Sequence, residues 1–283
     1  MKRILFLIIV FSFYVLSSFA QQTVTQLVYK KVDTLSLTMD IYYPPTMKSD
    51  KKYPAMIFYY GGGWNTGTIS QLEPHAKYFS ERGIICVLAD YRVRLRHNAT
   101  PFESLEDAKS AIRYLRVNSE KLHIETNQII ASGASAGGHL AAATGTISKY
   151  DAPNEDLSIS SKPQALVLFN PAIDNGPGGY GFERVGMEYK DFSPLHNIQI
   201  GAPPTILFLG TKDIVIPVET VQYYKIVMDK VGSRCDLKIY EGQKHGFFNY
   251  IHTQYFNQTV FEADKFLTSL GYLKGEPTIF TKP

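Results

Sequence analysis

Ser135 sits at the centre of Gly133-Ala134-Ser135-Ala136-Gly137, between the apolar run Gln128–Ser132 and an alanine-rich stretch running from His139 to Ala143. A serine hydroxyl is a weak nucleophile until a neighbouring base takes its proton, and that base works best when an acid orients it. The two flanking glycines serve a steric purpose, because the chain must reverse sharply between a strand and a helix with the serine at its apex. Two partners follow in the order acid, then histidine. Asp213 ends the turn Gly210-Thr211-Lys212-Asp213 after the apolar run Thr205–Leu209, and His245 lies in Glu241-Gly242-Gln243-Lys244-His245-Gly246 after the run Cys235–Tyr240. The chemistry of such a set is acyl transfer. His245 would take the Ser135 proton as the oxygen attacks a carbonyl and then pass it to the leaving group, while Asp213 fixes the imidazole tautomer. Asp174, beyond the run ending at Phe169, is a rival acid one strand earlier; Asp213 ranks ahead because its turn leads into a helix that starts at Pro217. His75, His97, His123, His139, His196 and His252 have no motif around them and read as structural or exposed.

A tetrahedral intermediate also needs donors for its oxyanion. Tyr60-Gly61-Gly62-Gly63-Trp64 follows the apolar run Ala55–Tyr60, and three glycines in succession let backbone amides converge without a Cβ in the way. The donors expected are the amides of Gly62, Gly63 and Ala136, the last being the residue after the nucleophile. Losing one such donor typically costs about 3–4 kcal/mol in the transition state. A phosphate-binding loop is not indicated, since neither G-x-G-x-x-G nor a following G-K-[ST] is present. No H-E-x-x-H and no paired-cysteine spacing occurs, so no metal site is expected, and the chemistry needs no cofactor.

These residues must be positioned by a scaffold. Strand-like runs are read at Gln26–Leu37 with Thr38–Tyr43, Ala55–Tyr60, Ile84–Asp90, Gln128–Ser132, Ala165–Phe169, Thr205–Leu209 and Cys235–Tyr240, the first two as a hairpin turning around Asp33-Thr34. The later runs are continuously apolar, as strands covered on both faces should be. Amphipathic helices are predicted over Pro101–Val117, Pro217–Val231 and Tyr255–Leu270. This alternation predicts an α/β fold, with a mostly parallel central sheet and helices on both faces. Residues 174–200 lack clear periodicity; their Gly and aromatic residues suggest a loop or short-helix insertion near a binding site, with Trp64, Tyr180, Phe182 and Tyr189 as candidate substrate contacts.

The first twenty residues read as a secretory signal peptide. Lys2 and Arg3 precede the apolar run Ile4–Leu16, and Ser17-Ser18-Phe19-Ala20 offers a cut before Gln21. The apolar run is too short for a comfortable membrane span, so export to the periplasm or beyond is expected, with residues 21–283 as a single domain. Without Lys2 and Arg3 the chain has 27 basic against 26 acidic residues, which gives no sign of a nucleic-acid-binding surface. Export would permit a disulfide, but Cys86 lies inside a strand-like run and two free thiols are the expectation for Cys86 and Cys235.

Taken together, the motifs resemble the hormone-sensitive-lipase-like esterases of the α/β-hydrolase superfamily. The likeness rests on YGGGW at residues 60–64, ADYR at 89–92, the PFESLEDAKSAIRYLR stretch, GASAGGHLAA, GTKDIVIP and GQKHGF, and it spans roughly residues 40–270. It implies the α/β-hydrolase fold and the Ser135–Asp213–His245 triad. Within that group the chain is similar to bacterial exported carbohydrate esterases of the acetylxylan and feruloyl type, which implies an acylated oligosaccharide or polysaccharide, or a small ester, as substrate. Tyr60 stands where the family usually has His, a side chain that braces the glycine loop. Little sequence precedes the first strands to build a large helical cap, which implies an open site. Two other readings remain: an amide-cleaving relative (a peptidase or arylformamidase), and a binding protein on the same scaffold, which usually lacks one of the three triad residues found here.

Overall fold

The apolar runs form one eight-stranded sheet in the computed structural model, which describes residues 24–280. The expected signal segment, residues 1–20, lies outside the described residues. The strands are β1 (Val24–Val32), β2 (Leu35–Tyr42), β3 (Tyr53–Tyr59), β4 (Ile85–Ala89), β5 (Ile124–Ala134), β6 (Ala165–Phe169), β7 (Thr205–Gly210) and β8 (Cys235–Tyr240). Their order across the sheet is β1-β2-β4-β3-β5-β6-β7-β8. The β1–β2 and β2–β4 pairs are antiparallel, and every pair from β4 to β8 is parallel. The hairpin turns at Asp33-Thr34 as expected. The long first strand predicted over Gln26–Leu37 is broken there, because Asp33 takes a left-handed φ of 50° that no strand accommodates. β5 runs well beyond the expected Gln128–Ser132 at both ends.

The helices are α1 (Glu73–Glu81), α2 (Arg94–His97), α3 (Pro101–Val117), α4 (Ser119–Leu122), α5 (Ala136–Thr146), α6 (Phe182–Val185), α7 (Tyr189–Phe192), α8 (Val218–Lys230) and α9 (Thr253–Ser269). α3 starts where its sequence says it should. The Thr100 side chain accepts from the Glu103 amide, the Glu103 carboxylate returns the bond to the Thr100 amide, and Pro101 occupies the first turn. The alternation of β3 divides the core: Met56 and Phe58 pack with residues of α1 and α9, whereas Ala55, Ile57 and Tyr59 pack with α3, α5 and α8. Helices therefore cover both faces of the sheet. Cys86 belongs to the first of these cores and Cys235 to the second, so the two buried thiols are free and lie on opposite faces. No helix among the described residues is long and apolar enough to cross a membrane.

The strand order matters for the site. From β3 the chain crosses to β4 on one side, whereas from β5 it moves to β6 on the other, so a crevice opens beyond the C-terminal ends of β3 and β5. Tyr59 pairs with Gly133 in register, which brings the glycine loop after β3 beside Ser135 after β5.

Candidate active site

Ser135 is the apex between β5 and α5, with φ 53° and ψ −117°. A residue with a Cβ pays for such a conformation, and it persists only where its surroundings determine it. Here the Ser135 amide donates to the Phe169 carbonyl at 2.9 Å, and its own carbonyl accepts from His139 at 2.9 Å and Ala172 at 3.1 Å. The flanking glycines are obligatory. A Cβ on Gly133 would lie 2.2 Å from the Gly137 carbonyl oxygen, and one on Gly137 would lie 2.0 Å from that of Tyr59.

Asp213 and His245, from the loops after β7 and β8, meet this apex. His245 Nε2 is 3.0 Å from Ser135 Oγ, and His245 Nδ1 is 2.7 Å from Asp213 Oδ2. The Asp213 side chain is fully buried, and its other oxygen accepts from the amides of Val215 at 2.8 Å and Ile216 at 3.0 Å. An ionised carboxylate only accepts, so Nδ1 carries the proton and the Nε2 lone pair faces the serine hydroxyl. Asp174, the rival acid, instead caps its own turn by accepting from the Gly176 amide at 2.9 Å.

The glycine loop forms the opposite wall. Gly62 has φ 136° and Gly63 φ 65°, conformations that favour glycine. The Gly62 carbonyl accepts from Asn65 and Thr66, while the amides of Gly62, Gly63 and Ala136 bond to nothing among the described residues. Three donors are thus left free around one crevice. The loop is braced from below by Tyr60, whose hydroxyl donates to Asp90 Oδ1 at 2.6 Å and accepts from Arg96 Nη2 at 2.5 Å. Burial, together with the Asp90 charge, pushes the Tyr60 phenol well above its ordinary range, so it stays a neutral donor. Arg184 closes the far side, donating to the Gly63 carbonyl and lying 5.1 Å over the Trp64 ring.

A cleft of ≈ 410 Å³ lies over these groups, lined by Gly61, Gly62, Gly63, Ser135, Tyr180 and His245 among others. Of the four aromatic residues read as substrate contacts, Tyr180 alone lines it. Trp64 is buried beneath the loop against His139, Tyr180 and Phe192, because its left-handed φ of 56° turns the side chain into the core. Phe182 and Tyr189 pack against each other at 5.9 Å, away from the cleft lining. The 174–200 segment does form short helices and 3₁₀ turns, as its lack of periodicity suggested.

Sequence reasoning missed three polar side chains of the cleft. Gln71 accepts from the Gly61 amide at 2.6 Å and donates to Asn249 Oδ1 at 3.3 Å; Asn249 in turn donates to the Gly246 carbonyl at 2.7 Å. Asn170, directly after β6, contacts both His245 and Gly246. Only Asn170 left a trace, a polar residue at a strand end before Pro171. The buried histidines are accounted for without chemistry. Burial pushes His139 down to about 3, and its Nε2 bonds the Phe192 carbonyl at 3.0 Å. Among the described residues no group of three or more His, Cys, Asp or Glu could hold a metal ion.

Proteins similar to this chain include several esterases. The BD-FAE family model matches residues 39–174. Esterase 2 of Thermogutta terrifontis, solved phosphoramylated by tabun, superposes with a TM-score of 0.86 at 42% identity, covering 89% of this chain and 97% of that one. Esterase LipC of Mycobacterium tuberculosis is 30% identical over 220 residues, 70% of this chain and 54% of LipC. An acetylxylan esterase of Xylanibacter ruminicola is 24% identical over 209 residues, 68% of this chain and 40% of that protein. This chain thus spans about half the length of the curated relatives it matches. The sheet, the crevice and the likeness over nine-tenths of the chain lead to one conclusion: the chain has the α/β-hydrolase fold and belongs to the hormone-sensitive-lipase-like esterases.

Proposed function

We propose that this protein is an exported serine carboxylic ester hydrolase that removes short acyl groups, acetyl above all, from plant polysaccharides such as xylan. The observation that carries the reading is the hydrogen-bonded set Ser135–His245–Asp213, with spacings of 3.0 and 2.7 Å, facing three unbonded amides across a cleft.

In that reading the ester carbonyl enters with its oxygen toward the amides of Gly62, Gly63 and Ala136. His245 Nε2 takes the Ser135 proton as Oγ bonds the carbonyl carbon, and the imidazolium is stabilised by Asp213. The amides hold the oxyanion before any reorganisation is needed. Collapse breaks the bond to the alcohol oxygen, which leaves with the proton from His245. Water then gives a proton to His245 and attacks the acyl carbon; the carbon–Oγ bond breaks, the acid leaves, and His245 returns the proton to Ser135 Oγ.

Short acyl chains are favoured by two supports. Solved structures of Thermogutta terrifontis esterase 2, 41% identical to this chain, hold propionate or butyrate, and one relative is an acetylxylan esterase. Export rests on the basic and apolar segment of residues 2–20. The test is hydrolysis of p-nitrophenyl acetate by the protein and by Ser135→Ala, followed by a panel of acetylated xylan, feruloylated xylan and longer-chain esters. Activity abolished by Ser135→Ala and highest on acetyl groups is expected. Equal inertness of both proteins would sink the reading, and preference for long chains would sink the substrate assignment.

A further inference from the structure

Asn170 is 1% exposed, sits directly after β6, and takes a left-handed φ of 36°. Its Oδ1 accepts from the Gly246 amide at 3.1 Å, and its Nδ2 lies 3.3 Å from His245 Nε2 on the cleft wall. The Gly246 N–H is a donor only, so it dictates which end of the Asn170 amide is which. The NH₂ group must face His245.

That contact is odd for a resting base. The Nε2 lone pair already has the Ser135 hydroxyl at 3.0 Å, so the Asn170 N–H is a second donor to one acceptor site. Once Nε2 is protonated, an amide NH₂ cannot accept from it, and the pair must separate toward some other acceptor. The acceptor available at that moment is the alcohol oxygen. It has to approach Nε2 to receive the proton, so it comes within reach of a donor 3.3 Å from the same atom.

We propose that Asn170 donates through Nδ2 to the leaving alcohol oxygen during acylation, and to the attacking water during deacylation. This rests on the ester-hydrolase reading above. In the first half, Ser135 Oγ bonds the acyl carbon, the carbon–alcohol bond breaks, and the electron pair goes to the alcohol oxygen. That oxygen is held by the Asn170 N–H while His245 delivers the proton. In the second half, the water oxygen takes the same place, donating to His245 Nε2 and accepting from Asn170. The Ser135 Oγ–carbon bond then breaks as His245 returns the proton to Oγ.

The role predicts a dependence on the leaving group that a merely structural brace would not produce. A poor leaving group such as ethoxide needs the donor, p-nitrophenolate needs it little, and fluoride expelled from a fluorophosphonate needs no proton. One variant suits the left-handed backbone: Asn170→Gly removes the side chain, and with it the donor, without strain. For it, kcat/KM on ethyl acetate should fall about 10- to 100-fold, the worth of one lost hydrogen bond to a charged oxygen. On p-nitrophenyl acetate the loss should stay within about threefold, as should the rate of fluorophosphonate labelling, since neither loses much charge stabilisation. Equal losses on all three reagents, or no loss on ethyl acetate, would overturn the role of Asn170 in an otherwise active enzyme. A wild-type protein inert on both esters would overturn the hydrolase reading itself.

Discussion

Tyr60 and Tyr91 lie stacked with ring centroids 4.2 Å apart, and each hydroxyl reaches the other residue's backbone carbonyl, at 3.1 Å from Tyr60 and 2.7 Å from Tyr91. Through this pair the residue at the head of the glycine loop is tied to the segment after β4, and the loop inherits the rigidity of the sheet. A phenol braces the loop here, with Asp90 and Arg96 as its side-chain partners. Tyr60→Phe removes those bonds and leaves the Asp90–Arg96 pair partly unsatisfied. A loss of about 1–2 kcal/mol in both stability and transition-state binding follows. The expected readouts are a lower urea midpoint and a kcat/KM on p-nitrophenyl acetate reduced about tenfold. An unchanged kcat/KM would show that the loop holds its shape without the phenol.

Asp213 is buried and accepts from His245 Nδ1 and two backbone amides. In Asp213→Asn the side chain can present an N–H to Nδ1, which moves the imidazole proton to Nε2 and leaves no lone pair for Ser135. The geometry survives but kcat should drop by about 10⁴. Steady-state assays across pH check this, and retention of more than a tenth of the wild-type rate would argue against Asp213 as the orienting acid.

Gly137→Ala should not yield a stable protein. The new methyl would lie 2.0 Å from the Tyr59 carbonyl oxygen and 2.3 Å from that of Tyr60, both backbone atoms of a central strand end that cannot step aside. A destabilisation of about 3 kcal/mol or more is expected, read from the urea midpoint of whatever soluble protein is recovered. A variant of wild-type stability would mean that β3 and α5 can separate more easily than their packing suggests.

Acid should weaken the fold through His75. Its ring sits among Phe169, Phe248 and Phe256, neither ring nitrogen has a partner among the described residues, and burial pushes its pKa down to about 3. Between pH 6.5 and 3 the unfolded chain binds a proton there that the folded protein refuses. The stability is therefore complete above the ordinary histidine pKa and declines as pH falls below it, by about 1.4 kcal/mol per pH unit. By pH 5 the loss from this residue is roughly 2 kcal/mol. His75→Phe, filling the same aromatic box, should flatten that decline in urea titrations at pH 7 and pH 5. An equally steep decline in the variant would place the acid sensitivity elsewhere, His139 being the next group to examine.

Much of this molecule can be read from its sequence, for reasons that differ by element. β3, β4, β6, β7 and the C-terminal part of β5 announce themselves because strands buried on both faces must be apolar, and the triad because its turns carry glycines that chemistry and sterics both require; β8, half-exposed at the sheet edge with Asp236 and Lys238 in it, departs from the continuously apolar run expected there. α1 left little signal: it is nine residues long and carries a buried histidine and serine on its inner face. The placement of β4 outside β3 is a property of topology, which local patterning does not encode. The aromatic residues misled for a related reason. Trp64 follows the glycine loop in sequence, yet a positive φ points it inward, and no composition rule reports a dihedral angle. Gln71 and Asn249 were silent because a single amide side chain looks the same in a turn as in a site.

The two cysteines, finally, give the protein an internal clock. Cys86 is fully covered and Cys235 is 4% exposed; burial raises both thiols, that of Cys235 to about 12, so almost no thiolate exists at neutral pH. Sulfurs on opposite faces of the sheet need no oxidant for the chain to mature, in whatever compartment it folds. An alkylating reagent added to the native protein must then wait for the sheet itself to open. Its slow incorporation would time that opening at β4 and β8 separately, a measure of how long the catalytic scaffold lasts between excursions.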